Sequence, residues 1–367
     1  MKIKSEGCQS AVSVNKIILT APKNGEAVDV LNREISTFLN GYETGLSARL
    51  PYKENSYDPI PVRFEWSAPE ETEEFLFTFS DNFGLTGGMS YRIVKPYFTL
   101  HIPFRANRIY WKVSCFIDGA FFESETFYFL LEKIPAAVLL QGVSNTRDIG
   151  GYKGMGGKTV GRGLVYRGGN LDGITEEGKR IAEDVLKIRA VLDLRRAGEG
   201  TASEEFSPLG KKVKHVNEWG CMYTLCDFGD CANIGKEGIN VPEGAAELVR
   251  ELLFFADKGH FPAYVHCVLG RDRTGTLMIF LLGICGVCKR DIMLDYELSF
   301  FSETGRNKDT DVSKILGYAE SIFTYVDTFE GNTLQEKMTD LLLKAGMSGK
   351  QITEIQNNLL AEGFDEM

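Results

Sequence analysis

His266-Cys267-Val268-Leu269-Gly270-Arg271-Asp272-Arg273-Thr274-Gly275 follows the apolar run Phe261-Pro262-Ala263-Tyr264-Val265 and leads into Leu277-Met278-Ile279-Phe280-Leu281-Leu282. An apolar strand, a glycine-bearing loop and an apolar helix in that order form a strand-loop-helix unit. Five residues between Cys267 and Arg273 let the backbone curl so that consecutive N–H groups of Val268, Leu269, Gly270 and Arg271 point inward. That makes a nest for an anionic tetrahedral group at a helix N-terminus. Gly270 allows the tight approach, and Arg273 offers two parallel N–H donors to phosphate oxygens. The same field lowers a thiol pKa from about 8.5 into the roughly 3.5–7.5 range, which predicts a nucleophilic thiolate at Cys267. Of eight cysteines, only Cys267 has arginine six positions on. With 4 His and 39 Gly in 367 residues, the added His and two Gly arise by chance roughly once in ten thousand.

Outward from this loop, short apolar runs alternate with helical stretches: GLVYR (163–167), TEEGKRIAEDVLK (175–187), RAVLDL (189–194), KVKHVN (212–217) and PEGAAELVRELLFFADK (242–258). This texture predicts an α/β domain with a mainly parallel sheet flanked by helices over residues 136–367. Its tail is helical. Thr333 and Glu336 have capping-box spacing; Leu334, Met338, Leu341 and Leu342 form one apolar face, and Ile352, Ile355, Leu359 and Leu360 another. Residues 1–135 read differently. Val62, Phe64 and Trp66 alternate with Arg63 and Glu65, and Phe75, Phe77 and Phe79 alternate again. Ile109, Trp111, Val113, Cys115 and Ile117 share one face up to the turn signal Asp118-Gly119, before Phe127, Phe129 and Leu131. Period-two patterning predicts an all-β sandwich with Trp66 and Trp111 in its core. Residues 41–60 read as a loop insertion, and 132–141 as the linker.

His266, Cys267, Gly270, Arg273 and Thr274 match the protein tyrosine phosphatase signature. Asn145-Thr146-Arg147-Asp148-Ile149-Gly150-Gly151-Tyr152, GLVYRGGNL (163–171), AVLDLRRAGE (190–199) and DYELSF (295–300) resemble the atypical bacterial tyrosine phosphatase family, from about residue 140 to the C-terminus. That family includes secreted phosphatases acting on phosphotyrosine and phosphoinositides. The resemblance implies hydrolysis in two steps without a cofactor or metal: a phosphocysteine forms on Cys267, and water then cleaves it. Arg273 would hold the equatorial oxygens, and the Thr274 hydroxyl would stabilise the departing thiolate. The proton donor to the leaving group is the loop's own Asp272 in the atypical family. In the main tyrosine phosphatase family it lies on a separate loop, here represented by Asp227 or Asp230. Arg271 stands where phosphoinositide-active relatives often carry Lys, and a planar fork differs from a point charge. The first half, through VRFEWSAPE (62–70), FLFTFSDN (75–82) and RIYWKVSCFIDG (108–119), resembles a fibronectin type III or immunoglobulin-like domain.

The remaining residues receive structural readings. His266 is an anchor for the loop, because a thiolate needs no separate base. Arg147 and Asp148 support the loop by hydrogen bonds, and Asp193 and Arg195 end a strand in a similar way. Cys221, Cys226 and Cys231 recur every five residues and Cys285 with Cys288 makes C-x-x-C, but neither is a usual zinc spacing here. No metal is expected; a thiol partner for an oxidised Cys267 is the better reading. A net charge of -10 excludes a role built on nucleic-acid phosphates, and no run of roughly 18 apolar residues spans a membrane. Scattered cysteines fit a reducing, cytoplasmic compartment. The expected partner is a phosphoprotein or phosphopeptide, with a phosphoinositide or dual-specificity substrate as the enzyme alternative. A non-catalytic phosphoprotein-binding module is the alternative of another class, disfavoured by the presence of Cys267, Asp272 and Arg273 together. What the sandwich binds is not legible.

Overall fold

A computed structural model of the chain describes residues 16–43, 58–102, 108–131, 136–200, 206–224, 238–302 and 311–361. They fall into two compact units. Most of the expected insertion at 41–60 lies outside the described residues. No described helix is long and apolar enough to cross a membrane.

The first unit contains strands β1 (Ile18–Ala21), β2 (Glu26–Ala27), β3 (Val62–Ser67), β4 (Phe75–Ser80), β5 (Met89–Ile93), β6 (Tyr97–Leu100), β7 (Arg108–Ile117), β8 (Ala120–Glu123) and β9 (Phe127–Leu130). They form one sheet in the order β1-β3-β6 and another in the order β2-β9-β7-β4-β5, with β8 paired to β7. All pairs are antiparallel except β2 with β9. Alternation buries Phe64, Trp66, Phe77, Trp111 and Phe129, while Ile117 stays only partly covered. The Phe64 ring of one sheet meets Phe77 at 4.6 Å and Trp111 at 5.0 Å of the other. Asp118 and Gly119 both take positive φ, 51° and 79°, in the two-residue turn joining β7 to β8. That is the twist an Asp-Gly hairpin supplies.

The second unit opens with helix α1 (Arg33–Glu43), which the sequence reading places inside the first domain. Leu31, Ile35 and Phe38 are buried in its core, and the Phe38 ring lies 5.1 Å from that of Phe301. Strands β10 (Ala136–Ala137), β11 (Arg147–Asp148), β13 (Val165–Gly168), β14 (Ala190–Asp193), β15 (Lys214–Asn217) and β16 (Ala263–His266) build a mixed sheet; β12 (Thr159–Val160) and β17 (Leu360–Ala361) form a separate pair. The order is β10-β11-β13-β16-β14-β15, parallel from β13 through β15 and antiparallel at the other edge. The helices are α2 (Glu176–Arg180), α3 (Pro242–Leu253), α4 (Asp272–Ile284), α5 (Lys289–Glu297), α6 (Val312–Val326), α7 (Leu334–Lys344) and α8 (Gly349–Leu359). Helix α4 is buried on every side from Thr274 to Ile284, as an all-round apolar helix must be. Thr333 and Glu336 form the expected capping box on α7. Gly168, Asp193 and His266 stand at the C-terminal ends of adjacent parallel strands. In open α/β sheets, that end is where ligands bind.

Candidate active site

The loop after β16 is shaped from outside by its carbonyls. His266 Nδ1 faces the Cys267 carbonyl at 3.0 Å, and Asn170 donates its amide and Nδ2 to Val268 O at 3.1 and 3.0 Å. Asn145 Nδ2 donates to Leu269 O at 3.1 Å, and Arg167 Nη2 to Gly270 O at 2.8 Å. With four consecutive carbonyls held outward, the N–H groups are left to face the loop's centre. The amides of Val268, Leu269, Gly270, Asp272 and Arg273 donate to no acceptor among the described residues. Gly270 sits at φ 69°, and a Cβ there would lie 2.1 Å from the Gly168 carbonyl oxygen, so no larger residue fits. Cys267 begins the loop and is buried, with 2% of its surface exposed.

Arg273 is held at one end of its fork. Nη1 donates to Leu194 O at 3.1 Å and to Glu199 Oε2 at 2.7 Å, and Nη2 donates to Glu199 Oε1 at 3.0 Å. A guanidinium has five N–H groups. Nε–H and the second Nη2–H remain, and these two point the same way along the side of the fork. Such a parallel pair matches two oxygens of a phosphoryl group. Burial pushes the Glu199 carboxyl up, but the bonds from Arg273 and the Arg196 amide outweigh it and hold Glu199 below its ordinary range. Glu199 is the last residue of AVLDLRRAGE (190–199), a stretch read from sequence only as part of the family resemblance and with no role given to its glutamate.

Asp272 is the first residue of α4 and accepts from three donors. Arg271 Nε reaches Oδ1 at 2.8 Å, Arg271 Nη2 reaches Oδ2 at 3.1 Å, and the Tyr223 hydroxyl reaches Oδ1 at 2.5 Å. Tyr223 also bonds the Tyr296 hydroxyl. Arg271, read from sequence as lining the anion site, turns its guanidinium toward Asp272 and over the Phe300 ring, 5.8 Å from its centroid.

Beneath the loop, Arg147 and Arg167 share the carboxylate of Asp295, all three side chains at most 1% exposed. Arg147 Nε donates to Asp295 Oδ1 at 2.8 Å and Nη1 to Asn145 Oδ1 at 2.7 Å. Opposing charges hold the Asp295 carboxyl below its usual range despite burial. The motifs NTRD, VYRG and DYELS thus converge on the loop's carbonyls. Asp148 accepts the amides of Gly150 and Gly163 at 2.8 and 2.7 Å, and burial pushes its carboxyl up to about 6. Asp193 accepts from Arg195, and Arg195 reaches Asp172 at 2.8 Å. Burial lowers the His266 pKa and keeps the ring neutral. The Thr274 hydroxyl is buried with no hydrogen-bond partner among the described residues, and no bond joins it to Cys267. Asp227, Asp230, Cys226 and Cys231 lie outside the described residues. Among the described residues, no group of three or more His, Cys, Asp or Glu side chains is arranged to hold a metal.

A buried cysteine at the head of an amide-lined loop, with an arginine fork six residues on, defines a cysteine-phosphatase type of site. The pattern described as "Tyrosine phosphatase family" matches residues 138–361, and the chain belongs to that family. It is 27% identical over 197 residues to "Putative tyrosine-protein phosphatase H16_A0669" of Cupriavidus necator, covering 46% of this chain and 67% of that protein. The core catalytic domain of the PP-IP phosphatase SIW14 from S. cerevisiae, solved in complex with citrate, shares 19% identity. It covers 45% of this chain and 86% of its own, at a TM-score of 0.28, too loose a superposition to bear on fold or substrate.

Proposed function

We propose that the chain hydrolyses phosphotyrosine through a phosphocysteine on Cys267. The observation that carries this reading is the loop itself: four carbonyls bound from outside, amides left inward, and two parallel N–H groups of Arg273 unused. The Cys267 thiolate attacks phosphorus, an S–P bond forms, and the P–O bond to the phenol breaks as Asp272 passes a proton to the leaving oxygen. Water then attacks phosphorus and gives its proton to Asp272, and the thiolate leaves with the S–P electron pair. Amides and Arg273 hold the equatorial oxygens in both steps, where preorganised donors act on developing charge. Phosphotyrosine is favoured over a phosphoinositide because Arg271 is engaged with Asp272 and Phe300. The first unit we read as a fibronectin III-like sandwich on the strength of its two sheets and shared aromatic core.

Cys267→Ser abolishes turnover and retains binding of an oxyanion such as vanadate; residual turnover near wild type would sink the mechanism. A phenol of pKa about 10 needs a proton as it leaves, and general acid catalysis is typically worth 10²- to 10⁴-fold. Asp272→Asn therefore slows phosphotyrosine far more than a strongly activated aryl phosphate. Equal losses on both, with asymmetry in Asp227→Asn or Asp230→Asn, would move the donor to the other loop.

A further inference from the structure

Two tyrosines to which the sequence reading gives no role stand in line at Asp272: Tyr223 bonds it, and Tyr296, the second residue of DYELSF, bonds Tyr223. Tyr223 and Tyr296 are each 1% exposed. A carboxylate only accepts, so Tyr223 donates its proton to Asp272 Oδ1, and the bond between the two hydroxyls must then run from Tyr296 to Tyr223. Three separate features place this chain of hydroxyls. Tyr223 has φ 52°, a left-handed conformation that a bulky residue keeps only when its surroundings demand it. The demand is visible: its amide donates to Thr276 Oγ1 at 3.0 Å, and its carbonyl accepts from Ile239 N at 2.8 Å. Gly275 is the third feature. A Cβ there would lie 2.5 Å from Cε2 of Tyr296, so the glycine of the loop's R-T-G end leaves room for that ring.

We propose that Tyr223, backed by Tyr296, is a positioning residue that fixes Asp272 so that its transferable proton rides on Oδ2. Among the described residues, Oδ1 receives both the Tyr223 hydroxyl and Arg271 Nε, whereas Oδ2 receives only Arg271 Nη2 at the longer distance of 3.1 Å. The oxygen with fewer donors is the one on which a proton sits. The charged and titratable groups facing Asp272 are Arg271, Arg273, Tyr223 and Tyr296, and Arg167 faces Tyr296 from behind. Burial pushes both phenols well above their ordinary range, so each keeps its proton at neutral pH. The inference rests on the reading of Asp272 as proton donor.

The test uses the full chain with Tyr223→Phe, Tyr296→Phe, Asp272→Asn and the Tyr223→Phe/Asp272→Asn pair. Each is assayed across pH on a phosphotyrosine peptide and on an activated aryl phosphate. Losing a donor to the carboxylate favours its protonated form, so the alkaline limb of kcat on the peptide moves up by roughly one pH unit in Tyr223→Phe. The peptide-to-aryl rate ratio falls roughly tenfold, because the proton is no longer directed. Tyr296→Phe moves both readouts the same way by less, and serves if Tyr223→Phe fails to fold. Once Asp272 is Asn, Tyr223→Phe changes the ratio by less than about twofold, as expected for residues acting as one unit. Unmoved limbs and ratios in both tyrosine variants, with Asp272→Asn still asymmetric, overturn the positioning role alone. An Asp272→Asn variant with no asymmetry overturns the underlying reading instead.

Discussion

At the scale of single residues, Glu199 decides how Arg273 is presented. Both carboxylate oxygens grip the end of the fork and leave Nε–H and the second Nη2–H along its side. Glu199→Gln keeps shape and volume but loses one acceptor and the charge. A misplacement on the order of 1 Å at a reacting group costs about 10²-fold. We expect kcat/KM to fall roughly 10- to 100-fold on peptide and activated aryl phosphate alike, since in the proposed mechanism Arg273 would serve every phosphoryl group. A change confined to the peptide would give Glu199 a role in peptide binding instead. Glu251 makes a different prediction. It lies on α3, fully buried, accepting the Cys221 amide at 2.9 Å, and burial raises its carboxyl from the ordinary 4.5 to about 8. Between those values the folded chain holds a proton that the unfolded chain has lost. Stability therefore falls as pH rises through that window, by on the order of 5 kcal/mol for a shift of this size. In Glu251→Gln the slope of unfolding free energy between pH 5 and 8, read from urea titrations, becomes shallower. An unchanged slope would show that Glu251 ionises as readily in the folded chain as in the unfolded one.

At the scale of elements, the ion group Arg147–Asp295–Arg167 joins β11, β13 and α5 under the loop. Two buried guanidinium groups share this one carboxylate, and removing it takes a counter-charge from both. Breaking a buried pair by removing one member costs about 3–5 kcal/mol. Asp295→Asn should lower stability by that amount in chemical denaturation and loosen the Arg167 bond to Gly270 O as well. The elements themselves are largely legible in the sequence. The apolar runs at 163–167, 189–194, 212–217 and 261–266 correspond to strands because each is buried or half-buried in one sheet, and α4 reads as a helix because its run is apolar on all sides. The contacts of Glu199, Tyr223 and Tyr296 are not legible, even where the residue stands in a quoted stretch, because their partners lie 74, 49 and 73 positions away. No local pattern encodes such separations.

At the scale of the whole molecule, α1 ties a segment early in the chain to the second unit. A chain beginning at residue 138 lacks the buried Leu31, Ile35 and Phe38, and with them the Phe38 ring that packs 5.1 Å from that of Phe301. Removing a buried phenylalanine costs about 3–5 kcal/mol. That shortened chain should lose hydrolysis of a small aryl phosphate at a lower temperature than the full chain, and Phe38→Ala in the full chain should reproduce much of the effect. Identical inactivation temperatures would show that the α1 seat adds nothing to the second unit's stability.

The amino-acid sequence by itself determined the strand-loop-helix around Cys267, the two textures of its halves and the capped helices of its tail. These depend on periodicity, turn chemistry and short spacing, all of which are local. Only the tertiary structure decided that α1 joins the second unit, that Glu199 grips Arg273, that Arg271 turns to Asp272, and that Tyr223 and Tyr296 meet beneath it. Apart from Arg271 and Asp272, which are neighbours whose pairing depends on rotamers set by the packing around them, each of these is a contact whose energy exists only after distant segments have been brought together and dried, and periodicity carries no record of which distant partner that is.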